Sequence, residues 1–147
     1  KRAVKTQRYT PGKRYSVLSC VNSRFGLASF RIVEGTTCAS DFSSWLMFNV
    51  FPLVPAGGAI VLDNAAIHQA PELAGAARFH DIKLVFTSPY SPDLNPIELS
   101  YCYLKTLLKK EHIHGDAVLL PTIRRILHSI TPQHVLAWMK KCNMLFD

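Results

Sequence analysis

Three prolines within eight residues, Pro89, Pro92 and Pro96, constrain this chain more than any other feature. Each fixes its own φ and pushes the preceding residue towards extended geometry, so Ser88 to Glu98 reads as a stiff loop between two regular elements. Before it, Ile82 to Phe86 is a short apolar run of strand length. After it, Asn95-Pro96-Ile97-Glu98 reads as a helix start, with Asn at the N-cap and Pro at the first helical position. That helix is predicted to run to about Lys110, with Ile97, Tyr101, Leu104 and Leu108 on one apolar stripe. A second apolar run, Ala59 to Leu62, follows Gly57-Gly58 and ends on Asp63-Asn64, which reads as a buried strand with a carboxylate at its C-terminal end. Open α/β sheets bind their ligands beyond the carboxyl ends of strands, so chemistry is expected at Asp63.

The remaining elements follow from periodicity and turn signals. Tyr15 to Val21 and Leu27 to Val33, joined by Asn22-Ser23-Arg24-Phe25-Gly26, predict a β-hairpin. Thr36-Thr37 and Ser40-Asp41 offer caps to an apolar helix holding Phe42, Trp45, Leu46 and Phe48, which Pro52 is expected to close. Pro71 to Phe79 is Ala-rich and reads as a short helix leading into the Ile82 to Phe86 strand. Two further helices are predicted, Asp116 to Ser129 and Pro132 to Asn143. Strands first, then alternating strand and helix, then helices, define an α/β fold with a helical C-terminal tail.

With 147 residues the chain makes one domain, which buries roughly 70% of its unfolded surface. At 48% apolar and 18% charged residues it is globular and not disordered. The net charge of +7 is concentrated in residues 1–33, which hold eight Lys and Arg and no acid. A basic segment beside a near-neutral remainder favours a polyanion, nucleic acid first, although a solvated basic terminus has the same composition. Residues 1–13 read as a basic linker, and 14–147 as the folded unit. Cys20, Cys38, Cys102 and Cys142 show neither Cys-x-x-Cys pairing nor close spacing, which suits reduced thiols in an intracellular protein. Phe42 to Leu62 lacks charge for twenty-one residues, but prolines and glycines break it, so no membrane span is expected.

Leu62-Asp63-Asn64-Ala65 with His68, followed by Pro89-Tyr90-Ser91-Pro92-Asp93-Leu94-Asn95-Pro96-Ile97-Glu98, resembles the second half of the catalytic domain of mariner-like transposases, in the DDE superfamily. The interval from Asp63 to Glu98, 34 intervening residues, matches that family. The resemblance is specific from about Arg14 to Glu111. It implies a ribonuclease-H-like mixed sheet with flanking helices, whose three catalytic acids stand on the first strand, the fourth strand and a following helix. Asp63 and Glu98 take the last two places as catalytic and metal-ligating residues. Neither Glu34 nor Asp41 stands where the family has its first acid, so the first, central strand is expected to lie upstream of Lys1, in a longer protein. Two expectations follow: the fragment does not cleave DNA alone, and an apolar slot separates the strands that the central one would join.

The resemblance also implies two Mg2+ or Mn2+ ions, DNA partners in the form of transposon ends and target, a possible homo-oligomer, and a nuclear location in a eukaryote. Hard divalent cations take oxygen ligands, which explains carboxylates where zinc would call for His and Cys. Asn64, His68, Tyr90, Ser91, Asn95 and Pro96 are expected to shape the site. Lys13 and Arg14, with Lys105 and Lys109 on the helix of Glu98, are the DNA-contact candidates. Plainer readings stay open. Glu98 stands at the capping-box position after Asn95, Asp63-Asn64 suits an ordinary turn, and Asp93 is a turn residue. Lys105 and Lys109 also complement a helix dipole. His112 and His114 are poorly placed for a metal. The competing functional reading is a decayed or domesticated nucleic-acid-binding remnant without catalysis.

Overall fold

A computed structural model of the protein describes residues 12–111 and 113–144. The chain opens with β1 (Tyr15–Asn22) and β2 (Gly26–Glu34), an antiparallel hairpin in which Tyr15 faces Glu34 and Asn22 faces Gly26. Gly26 makes the turn at φ 76°, a left-handed geometry that glycine adopts without steric cost. Then come α1 (Ala39–Trp45), β3 (Ala59–Leu62), α2 (Pro71–Phe79), β4 (Lys83–Phe86), α3 (Pro96–Lys110), α4 (Asp116–His128) and α5 (Pro132–Lys141). β3 and β4 pair in parallel, with Ala59 beside Lys83 and Leu62 beside Phe86, and α2 supplies the crossover that parallel strands require.

Among the described residues the strands form two separate two-stranded sheets, β1-β2 and β3-β4. A cleft of about 290 Å³ lies between them, lined from the hairpin by Leu18 to Ser23 and from the parallel pair by Ala59 to Asp63. Most of its wall is apolar, including Leu18, Phe42, Trp45, Leu46, Ile60 and Leu62. The basic linker falls largely on residues 1–11, outside the described residues, and residues 12–14 are not part of a strand.

Alternation along β1 divides the interior into two cores. Leu18, with Cys20 against it, packs into a core built from Phe42, Trp45, Leu46, Val50, Phe51, Ile60, Leu62, Leu73, Ala77 and Ile82. Val17 and Val21 point the other way, with Leu27, Phe30 and Ile32 of β2, onto a second core of Leu104, Ile123, Ile126, Leu127, Ile130 and Val135. The hairpin is buried on both faces, so the helical tail is part of the domain and not an appendage.

The helix after the hairpin departs from its sequence reading at both ends. Its N-cap is Cys38, whose backbone N–H donates to the Asp41 carboxylate at 3.3 Å, so Thr36 and Thr37 do not cap it. At the far end Pro52 does not stop the run. The α-helix widens into a π-turn over Leu46–Val50 and tightens into a 3-10 turn over Phe51–Leu53 that contains Pro52. Proline has no N–H to donate, a loss without consequence in the first turn of a new helical segment. The other predicted elements fall within two residues of the observed ones. No helix among the described residues is long and apolar enough to cross a membrane.

Candidate active site at the cleft

Asp63 extends directly from β3, and Glu98 occupies the first turn of α3. Both line the cleft, together with His68, Asn95, Pro96, Ile97 and Tyr101. Tyr101 registers the convergence. Its phenol is mostly buried and donates to the Val17 carbonyl at 3.1 Å, tying α3 to the edge of β1. Burial raises its pKa above the usual value, the negative charges of Glu98 and Asp63 raise it further, and nearby Ser19 partly opposes them. Two acids 35 positions apart in sequence thus line one cleft with this hydroxyl.

Their local surroundings differ. Asp63 Oδ1 accepts from the Ala65 backbone N–H at 3.1 Å and lies 2.5 Å from His68 Nδ1. The Asp63 turn reading thus holds alongside its place at the cleft. Glu98 is not folded back as a capping-box residue: Asn95 caps α3 alone, its Oδ1 accepting from Ile97 N–H at 3.2 Å. Among the described residues the Glu98 carboxylate makes no hydrogen bond or ion pair, and it also sits where the N-terminal helix dipole favours an anion.

The loop residues act mostly through backbone. Tyr90 is fully exposed at φ 57°, so it turns the chain and offers no side chain to the cleft. Ser91 Oγ donates to the Pro89 carbonyl at 3.3 Å, a bond internal to the loop. Asn95 is buried and Pro96 is buried beside it, anchoring the start of α3. Asn64 is exposed and accepts from the Gln69 amide, which braces the turn after β3 and leaves Asn64 outside the cleft. Asp93 lies exposed in a 3-10 turn, as a turn residue should.

The basic candidates stand away from the acids. Lys105 and Lys109 are exposed on α3 but do not line the cleft. Lys13 is ion-paired with Glu34 at 3.1 Å, so its charge is locally balanced, while Arg14 is exposed at the entry to β1. His114 is exposed; His112 falls outside the described residues.

Several cleft residues escaped sequence reasoning. Among the described residues the buried Trp45 indole N–H and the buried Ser19 hydroxyl have no hydrogen-bond partner. Cys20 lines the same cleft, and burial pushes its thiol up to about 11, so it offers no thiolate near neutral pH. Only Tyr101 carried a signal, since it falls one helical turn beyond Glu98.

The α/β fold thus brings two carboxylates to one cleft, one following a strand and one opening a helix. A family profile described as DDE superfamily endonuclease matches residues 1–119, and the chain belongs to that family. Its fold is similar to that of the Mos1 transposase in the paired-end complex with the left transposon end, at a TM-score of 0.76 and 15% identity over 98% of this chain. It is also similar to the Mos1 transposase catalytic domain with raltegravir and Mg, at 0.71 and 12% over 90% of the chain, and to the Mos1 strand transfer complex, at 0.72 and 14%. The chain spans 45% of the paired-end complex's transposase and 71% of the catalytic-domain structure. No curated protein matches it.

Proposed function

We propose that this chain is the C-terminal part of the catalytic domain of a mariner-like DNA transposase, a domain that when whole cuts and joins DNA with two divalent metal ions, and that this part alone does not cleave. The observation that carries the reading is the convergence of Asp63 and Glu98 on one cleft, which Tyr101 also lines. The donor set fits Mg2+ or Mn2+: among the described residues nothing hydrogen-bonds to Asp63 Oδ2 or to either Glu98 oxygen. When bound, a pair of such ions activates the attacking oxygen and stabilises the leaving one in phosphodiester transfer. The chain's own part is to fix the two acids from different elements. β3 delivers Asp63, the Asn95 cap and Pro96 aim Glu98, and Tyr101 ties α3 to β1.

Among the described residues no group of three metal-ligating side chains occurs. A third acid, carried by a further strand between β1 and β3, would complete both set and sheet. Two features support this among the described residues: the two sheets that border the cleft are not paired with each other, and Ser19 Oγ and Trp45 Nε1 are buried without partners, a cost that a pairing segment relieves. Transposon-end and target DNA are the proposed partners, in the nucleus where the source is eukaryotic, with Arg14, Lys105 and Lys109 as backbone contacts and self-assembly as in the wider family.

Calorimetric titration with Mn2+ tests the reading. Wild type is expected to bind and both Asp63→Asn and Glu98→Gln to lose at least tenfold in affinity. DNA nicking is expected only after extension of the chain with an upstream acid-bearing strand. Binding unchanged in both variants would sink the proposal, and salt-dependent DNA binding without metal uptake would favour a non-catalytic remnant.

A further inference from the structure

His68 lies in a 3-10 turn, Ala66–His68, five residues beyond Asp63. Its Nδ1 is 2.5 Å from Asp63 Oδ1 and 3.2 Å from the Asp63 carbonyl oxygen. Both neighbours are acceptors, so Nδ1 carries a proton and donates. The ring is fixed from its other side by Phe42, whose centroid is 4.2 Å away with 33° between the planes. Phe42 is itself buried in the first core, so the imidazole is held by an immobile wall. His68 is accordingly far less exposed than the acid it contacts, 15% against 42% for their side chains.

The consequence falls on Asp63. A carboxylate has two nearly equivalent oxygens, and the torsion that exchanges them is broad and roughly two-fold. Here both donors, Ala65 N–H and His68 Nδ1–H, converge on Oδ1, and among the described residues no protein donor reaches Oδ2. We infer that His68 is a positioning residue for Asp63, holding Oδ1 against the chain so that Oδ2 is the oxygen presented to a cation in the cleft. The inference rests on the metal-binding reading above, and it adds which oxygen binds and what selects it. Ligating carboxylates held by such outer hydrogen bonds typically lose 10–100-fold in metal affinity when the partner is removed.

Side-chain geometry provides a discriminating test. Asn places its amide nitrogen where Nδ1 stands, whereas Gln places it nearer Nε2 and Phe keeps the stacking without a donor. Mn2+ affinities of wild type, His68→Asn, His68→Gln, His68→Phe and Asp63→Asn are compared by calorimetry, with melting temperatures as the folding control. His68→Asn is expected within about threefold of wild type, and His68→Gln and His68→Phe about tenfold or more weaker at similar melting temperature. Wild-type affinity in both Gln and Phe variants would overturn the inference while leaving the metal reading intact, because Asp63→Asn would still lose binding. If wild type bound no Mn2+, the metal reading would fall and nitrogen NMR would decide the hydrogen bond alone. An unprotonated Nδ1, or an Ala65 amide resonance unmoved by His68→Phe, would then overturn it.

Discussion

The two cores on either face of the hairpin are built differently. The one shared with α3, α4 and α5 is closed by helices that cross it, and its central residues Ile126, Leu127 and Val135 are at most 1% exposed. The one shared with β3 and β4 also buries large side chains, yet it stops at an open cleft edged by unpartnered polar atoms and the two acids. In one domain, one core is covered by helices and the other opens onto the cleft that both acids line.

The largest test removes packing from each side in turn. Leu127→Ala is expected to cost about 2–5 kcal/mol in denaturant unfolding, whereas Leu18→Ala, at the cleft wall, should fall at or below the low end of that range. Equal losses would erase the contrast. A smaller effect is expected where the hairpin meets the closed core. A Cβ at Gly26 would stand 2.7 Å from the Ile130 carbonyl oxygen and 2.8 Å from Thr131 C, on backbone at positive φ. Gly26→Ala is therefore expected to destabilise by about 1–3 kcal/mol. A neutral result would mean that the hairpin turn and the α4–α5 junction are not in rigid contact.

The smallest effect is alkaline and belongs to the open side. The unfolded chain ionises the Cys20 thiol near its ordinary value of 9.0, while the folded chain keeps the proton until about 11. Above about pH 9 the unfolded state binds fewer protons than the native one, so stability falls as pH rises through that window. Buried Tyr101 adds a loss of the same sign above its own ordinary value of 10.0. Cys20→Ala should flatten the first part of that decline in unfolding curves measured between pH 8 and 11, and an unchanged slope would refute the assignment to Cys20.

Much of this was legible beforehand where local rules operate. Gly26 and the residues around it announced a turn, and Asn95-Pro96 announced the start of α3 to the residue. The spacing of Asp63 and Glu98, with the proline loop between them, pointed to a shared rim. The π-turn before Pro52 was not readable, because it reflects how α1 settles against the first core and not any local preference. Nor did charge alone distinguish Lys13, paired with Glu34, from the exposed Arg14. Tyr90 stands in the proline loop that the sequence marks, but its left-handed backbone and outward ring appear only in three dimensions.

By itself, the sequence determined which elements form and where two carboxylates stand along the chain, since caps, prolines and apolar periodicity act over a few residues. Tertiary structure decided that the described strands part into two pairs around a cleft, that Tyr101 bridges α3 to β1, and that Phe42 packs on the His68 ring that contacts Asp63 Oδ1. Those outcomes depend on contacts between groups distant in sequence, whose geometry is fixed only once both cores have packed.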